Sequence, residues 1–124
     1  MSQKTSILVV DDEQGIRDML FFTLKQEGYS VITAENGLEG ISKFKDEKVD
    51  VVISDMKMPV MDGITMLKEI KKIKPEARVI VATGFGTPET ESEIKESGAF
   101  IYMDKPFNLE ILLSALVKAV AEGE

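Results

Sequence analysis

The stretch Ile7-Leu8-Val9-Val10-Asp11-Asp12 is a run of apolar, mostly β-branched residues that stops abruptly at two carboxylates. A short run that is apolar throughout, with no alternation, suits a strand covered on both faces, which is the habit of parallel sheets. The same pattern recurs at Val49 to Ile53, interrupted there by Asp50, at Val79 to Ala82 and Phe100 to Met103, and more weakly at Val31 to Ala34. Between these runs the spacing changes to that of helices. Ile16, Leu20 and Leu24 fall at steps of four and are closed by Gly28, a residue able to take the left-handed C-terminal conformation. A second helix is expected from Leu38 to Lys45, a third from Ile64 to Ile73 ahead of Pro75, and a fourth from Thr87 and Pro88. Asn108 reads as the N-cap of a fifth, in which Leu109, Leu112, Leu113, Leu116 and Val120 form one apolar face. Strand and helix therefore alternate five times, and such alternation demands a parallel sheet with right-handed crossovers and helices on both faces: a doubly wound α/β fold.

Composition narrows the chemistry. With 124 residues the chain has the length of one domain, and no linker or repeat divides it. Hydrophobic residues at 44% and charged residues at 30% are the balance of a globular protein rather than a disordered one. A net charge of −7 works against unaided binding to nucleic acid or anionic lipid, so the expected partners are proteins. Cysteine and histidine are both absent, which excludes disulfides, thiolate chemistry and imidazole bases. Carboxylates, lysine and threonine must carry any reaction. Apolar runs of about five residues fall far short of the roughly 20 needed to span a bilayer, and no signal-peptide core follows Met1, so a cytoplasmic setting without membrane insertion is expected.

In open parallel sheets ligands gather beyond the carboxyl ends of the strands. There the sequence places Asp11 and Asp12 after the first strand, Asp55 after the third, Thr83 and Gly84 at the end of the fourth, and Lys105 and Pro106 after the fifth. Each taken alone is an ordinary turn or strand residue. Brought to one sheet edge, three carboxylates repel one another unless a hard divalent cation with oxygen ligands intervenes, and magnesium fits that role. Lys105 adds a charge that neutralises a phosphoryl oxygen and Thr83 a hydroxyl that donates to another.

At this point the chain resembles the response-regulator receiver family over nearly its whole length. The resemblance rests on Val9-Val10-Asp11-Asp12-Glu13, Ser54-Asp55-Met56-Lys57-Met58-Pro59, Met61-Asp62-Gly63, Ala82-Thr83-Gly84 and Asp104-Lys105-Pro106-Phe107, in family order. It implies a flavodoxin-like (βα)5 sheet of order 2-1-3-4-5, a single receiver domain over 1–124 without an output domain, and phosphorylation of Asp55 by a histidine kinase or histidine phosphotransfer protein. Asp12, Asp55 and the Lys57 carbonyl are implied as ligands of Mg2+ (or Mn2+), with Asp11 acting through water. Lys105 and Thr83 hold the phosphoryl group, the bond before Pro106 is cis, and Gly63 and Pro59 shape the loop after Asp55. Thr83 and Tyr102 form the switch that a downstream target protein reads. The catalysis implied is the domain's own phosphorylation and dephosphorylation rather than turnover of a free substrate.

The stretch Asp11-Asp12-Glu13-Gln14-Gly15-Ile16-Arg17 is further similar to single-domain receivers of sporulation-type phosphorelays, which makes Gln14, Gly15, Ile16 and Tyr102 the expected partner surface. Lys57 and Phe85 border the path of a hydrolytic water, and their bulk predicts a long-lived aspartyl phosphate. The expected fourth helix has only Ile94 as a large apolar residue among four glutamates, so it should shift easily. Two other classes compete. A magnesium-dependent phosphatase of the haloacid-dehalogenase kind needs a second Asp two residues after the nucleophile, where Lys57 stands. A flavin- or nucleotide-binding module needs a Gly-rich loop after the first strand, where Asp11 and Asp12 stand.

Overall fold

The computed structural model describes residues 4–58, 60–84, 86–105 and 108–123. In chain order the elements are β1 (Ser6–Val10), α1 (Gln14–Gln26), β2 (Ser30–Ala34), α2 (Gly37–Asp46), β3 (Val51–Asp55), α3 (Gly63–Ile73), β4 (Arg78–Thr83), α4 (Pro88–Glu96), β5 (Ile101–Asp104) and α5 (Leu109–Gly123). All strand pairs are parallel and the sheet order is β2-β1-β3-β4-β5, the flavodoxin-like arrangement expected. Because β2 lies on one side of β1 and β3 on the other, the direction of winding reverses at β1 and opens a crevice beyond the ends of β1 and β3.

Side chains alternate across the sheet and build two cores. Leu8, Val10, Val52, Val79 and Val81 point to one face, where Phe44 of α2, Leu67 and Ile70 of α3 and Ile94 of α4 cover them. Ile7, Val9, Val51, Ile53 and Ile80 point to the other, under Leu20 and Leu24 of α1 and Leu112 and Leu116 of α5. With both faces covered, the central strands have no solvent side to mark, hence their unbroken apolar runs.

Local signals fix the helix ends. Gly28 follows α1 at φ 95°, as its position suggested. Asn36 and Asp62 cap α2 and α3 by accepting from Glu39 and Thr65 amides at 2.9 and 2.7 Å. Asn108 does the same for α5, accepting from Ile111 at 3.1 Å. Thr87 and Thr90 close a reciprocal capping box on α4, with Pro88 inside it. Several strand boundaries differ from expectation, and β4 runs from Arg78 to Thr83 rather than from Val79 to Ala82. β3 runs to Asp55, paired with Ala82, and β5 runs from Ile101 to Asp104, paired with Thr83, because the backbone ladder continues past the last apolar side chain. Among the described residues no helix is long and apolar enough to cross a membrane.

Candidate phosphoryl-acceptor site

Asp55 is the last residue of β3 and only 7% exposed, set at the crevice by the strand and by the loop that follows. Its Oδ1 accepts from the Met56 amide at 2.7 Å and lies 3.4 Å from the Lys57 nitrogen. The loop is pressed back onto the strand end by Gly63, whose N–H donates to the Met56 carbonyl at 2.7 Å. A Cβ at Gly63 would collide with the Asp55 carbonyl oxygen and come within 2.8 Å of the Met56 Cα, so the close approach requires glycine there.

From the opposite side of the crevice Lys105 reaches in. Its Nζ donates to Asp11 Oδ2 at 2.7 Å and to Asp55 Oδ2 at 3.3 Å, and its own amide is held by the Thr83 carbonyl at 3.0 Å. Burial draws the ammonium toward losing its proton, but the hydrogen bond and charge of Asp11, joined by Asp55, outweigh it and leave the group raised above an ordinary lysine. For Asp55 the balance is reversed. Burial raises the carboxyl, and the nearby Asp11 charge adds to that, more than Lys105 and the Met56 amide lower it.

Asp11, Asp12, Glu13 and Asp55 offer carboxylate oxygens all within 4.8 Å of one another, a hard-oxygen set of the kind a small divalent cation takes. The two ends of this set differ. Buried Asp11 is occupied on both oxygens, by Lys105 and by the Glu13 amide at 2.9 Å, whereas Asp12 is exposed. Two participants escaped the sequence reading. Glu13, 66% exposed in its side chain, stands 4.0 Å from Lys105, and Arg17 donates to the Asp11 carbonyl at 2.6 Å from the first turn of α1. Both belong to the stretch following β1, but nothing in their spacing separates them from ordinary helix-start residues.

Thr83 is fully buried at the end of β4, and Tyr102 is half-buried on the edge strand β5. Gln14 and Gly15 are exposed at the start of α1, while Ile16 packs against the α1–α5 core and Tyr102 against the opposite one. These four thus lie on two sides of the sheet rather than on one packed face. Lys57 is exposed beside the site. Phe85, Pro106, Pro59 and Phe107 lie outside the described residues, so the expected cis bond before Pro106 and the expected role of Phe85 beside the water path fall there too.

A five-stranded parallel α/β sheet with an acid cluster and a lysine at its switch point is the architecture of phosphoryl-accepting signalling domains, and the comparisons specify it further. The response regulator receiver domain profile matches residues 7–117, and the chain belongs to that family, the receiver domains of two-component systems. It is 39% identical over 124 residues to the Escherichia coli transcriptional regulatory protein GlrR, of whose length it spans 28%. It is 41% identical over 112 residues to sporulation initiation phosphotransferase F of Bacillus subtilis, covering 90% of each chain. A receiver domain crystal structure from Clostridium thermocellum superposes with a TM-score of 0.90 at 39% identity over 95% of both chains.

Proposed function

We propose that Asp55 is the phosphoacceptor and that its partner in the reaction is a phosphohistidine on a histidine kinase or phosphotransfer protein. The observation that carries this reading is the Lys105 ammonium held between Asp11 and Asp55 inside the carboxylate cluster. The outer Asp55 oxygen faces this charge while the inner one is fixed by backbone amides, so the nucleophile is oriented before a donor arrives. In the transfer an Asp55 oxygen–phosphorus bond forms as the phosphorus–nitrogen bond to the donor imidazole breaks. Lys105 balances charge on the equatorial oxygens, and Thr83 donates to one of them. Asp12 and Asp55, with the Lys57 carbonyl, would hold Mg2+, which supplies further neutralisation of the phosphoryl oxygens. Loss of the phosphoryl group to water is the domain's own activity, and a protein target reads the altered β4–α4 and β5 surface.

The test is incubation with acetyl phosphate and magnesium followed by intact mass. Wild type should gain one phosphoryl increment and Asp55→Asn none, while Asp12→Ala should need far more magnesium to reach the same extent. An Asp55→Asn variant phosphorylated at the wild-type rate would overturn the assignment.

A further inference from the structure

Gly86 stands three residues beyond Thr83, in the connection to α4. The position has no room for a side chain. A Cβ at Gly86 would overlap the hydroxyl oxygen of Tyr102, approach its Cζ to 2.8 Å, and touch the Thr83 Cγ2 at 3.4 Å.

The contrast with Gly63 is instructive. There the obstructing atoms are backbone of Asp55 and Met56, which cannot give way, and the glycine serves the fold. At Gly86 the obstructing group is the far end of one rotatable side chain, anchored on the edge strand. The Tyr102 hydroxyl donates to Asp104 Oδ1 at 3.3 Å, a long contact that does little to hold the ring in place. Burial, then the Asp104 carboxylate, raises the phenol above its ordinary value, in keeping with a hydroxyl sheltered against the loop.

We propose that Gly86 is a notch that seats the Tyr102 hydroxyl beside Thr83, and that its missing side chain sets whether Tyr102 rests over the β4–α4 connection or swings out. The proposal deepens the reading above, since it assumes that Thr83 and Tyr102 transmit phosphorylation. Gly86 is then a positioning residue of the switch: filling the notch displaces the ring in both states, and phosphorylation no longer alters the β5 surface. Chemistry at Asp55 continues, because the atoms nearest a Cβ at Gly86 are the Tyr102 ring end and the Thr83 methyl, at 3.4 Å, and not the Thr83 hydroxyl, Asp55 or Lys105.

The experiment uses the full chain labelled with 3-fluorotyrosine. Two tyrosines give two fluorine resonances, and Tyr29→Phe assigns them. In Gly86→Ala the Tyr102 resonance should move to the solvent-exposed position and lose its shift on treatment with acetyl phosphate and magnesium, while the phosphoryl increment persists. A Tyr102 resonance that matches wild type in position and response overturns the notch. Should Gly86→Ala fold poorly, adding Tyr102→Ala removes the obstructed ring and should restore the melting behaviour of Tyr102→Ala alone; failure of that rescue also overturns it. If the wild-type chain takes no phosphoryl group, the functional reading falls, and the unphosphorylated spectra of wild type and Gly86→Ala still decide the notch.

Discussion

Val60 carries a β-branched side chain at φ 73°, a left-handed conformation that such residues rarely adopt, and it does so five residues after Asp55 with 72% of its surface exposed. Nothing buried compensates the strain at the residue itself, so it is imposed by the loop that Gly63 folds back onto the strand. Asparagine tolerates the same backbone region without the extra chain entropy of glycine. Val60→Asn should therefore stabilise the domain by about 1 kcal/mol, seen as a higher urea midpoint at unchanged slope. An equal or lower midpoint would show that the loop is not strained there. No sequence pattern announces this residue. Asp11, Asp12, Asp55, Thr83 and Lys105 were legible because each follows or ends an apolar run, and a parallel sheet brings such ends together. The roles of Val60, Arg17 and Gly86 depend on distances between loops, which composition and spacing do not encode.

At the scale of elements, α4 has a firm start and a weak hold on the body. Its capping box fastens the first turn, yet among its residues Ile94 alone is buried, at 0% exposure. Ile94→Ala removes the main apolar tie, a loss of roughly 2 kcal/mol or more for a large-to-small core change. The expected result is local: amide exchange across 88–96 should accelerate by about tenfold or more while β3 and β1 amides keep their protection. Uniform acceleration through the whole chain would mean that α4 is not a separable unit. This weak hold was readable from the sequence, since four glutamates and one isoleucine leave little else to bury. The strands were legible to different degrees for a related reason. β1, β3 and β4 are buried along almost their whole length and carry apolar runs of three or four residues, whereas edge strand β2 is buried only at Ala34 and so presents a mixed pattern. The misplaced end of β3 has the same origin, because Ser54 and Asp55 are paired and buried despite being polar.

At the scale of the whole molecule, the fold carries a carboxylate that it would hold more cheaply in neutral form. Asp55 has its carboxyl raised by burial, ahead of the influence of Lys105, so the folded state binds this proton more tightly than the unfolded chain does. Stability then declines as pH rises from the ordinary carboxylate range to the raised folded value, and above that window the ionised group opposes folding in full. Asparagine has nearly the same shape and no charge, and Lys105 keeps Asp11 at 2.7 Å. In metal-free buffer at neutral pH, Asp55→Asn should thus melt higher than wild type. The gap should close on acidification below the ordinary carboxylate range, where Asp55 is protonated in both states. Added magnesium should raise the wild-type midpoint by mass action and raise the variant less, because one carboxylate of the acidic cluster is gone. Thermal unfolding at two pH values, each with EDTA and with magnesium, gives four comparisons between the two proteins. A variant that melts lower than wild type at neutral pH without metal would show that the Lys105–Asp55 attraction exceeds the burial cost, and that Asp55 is a stabilising element of the fold rather than a strained one.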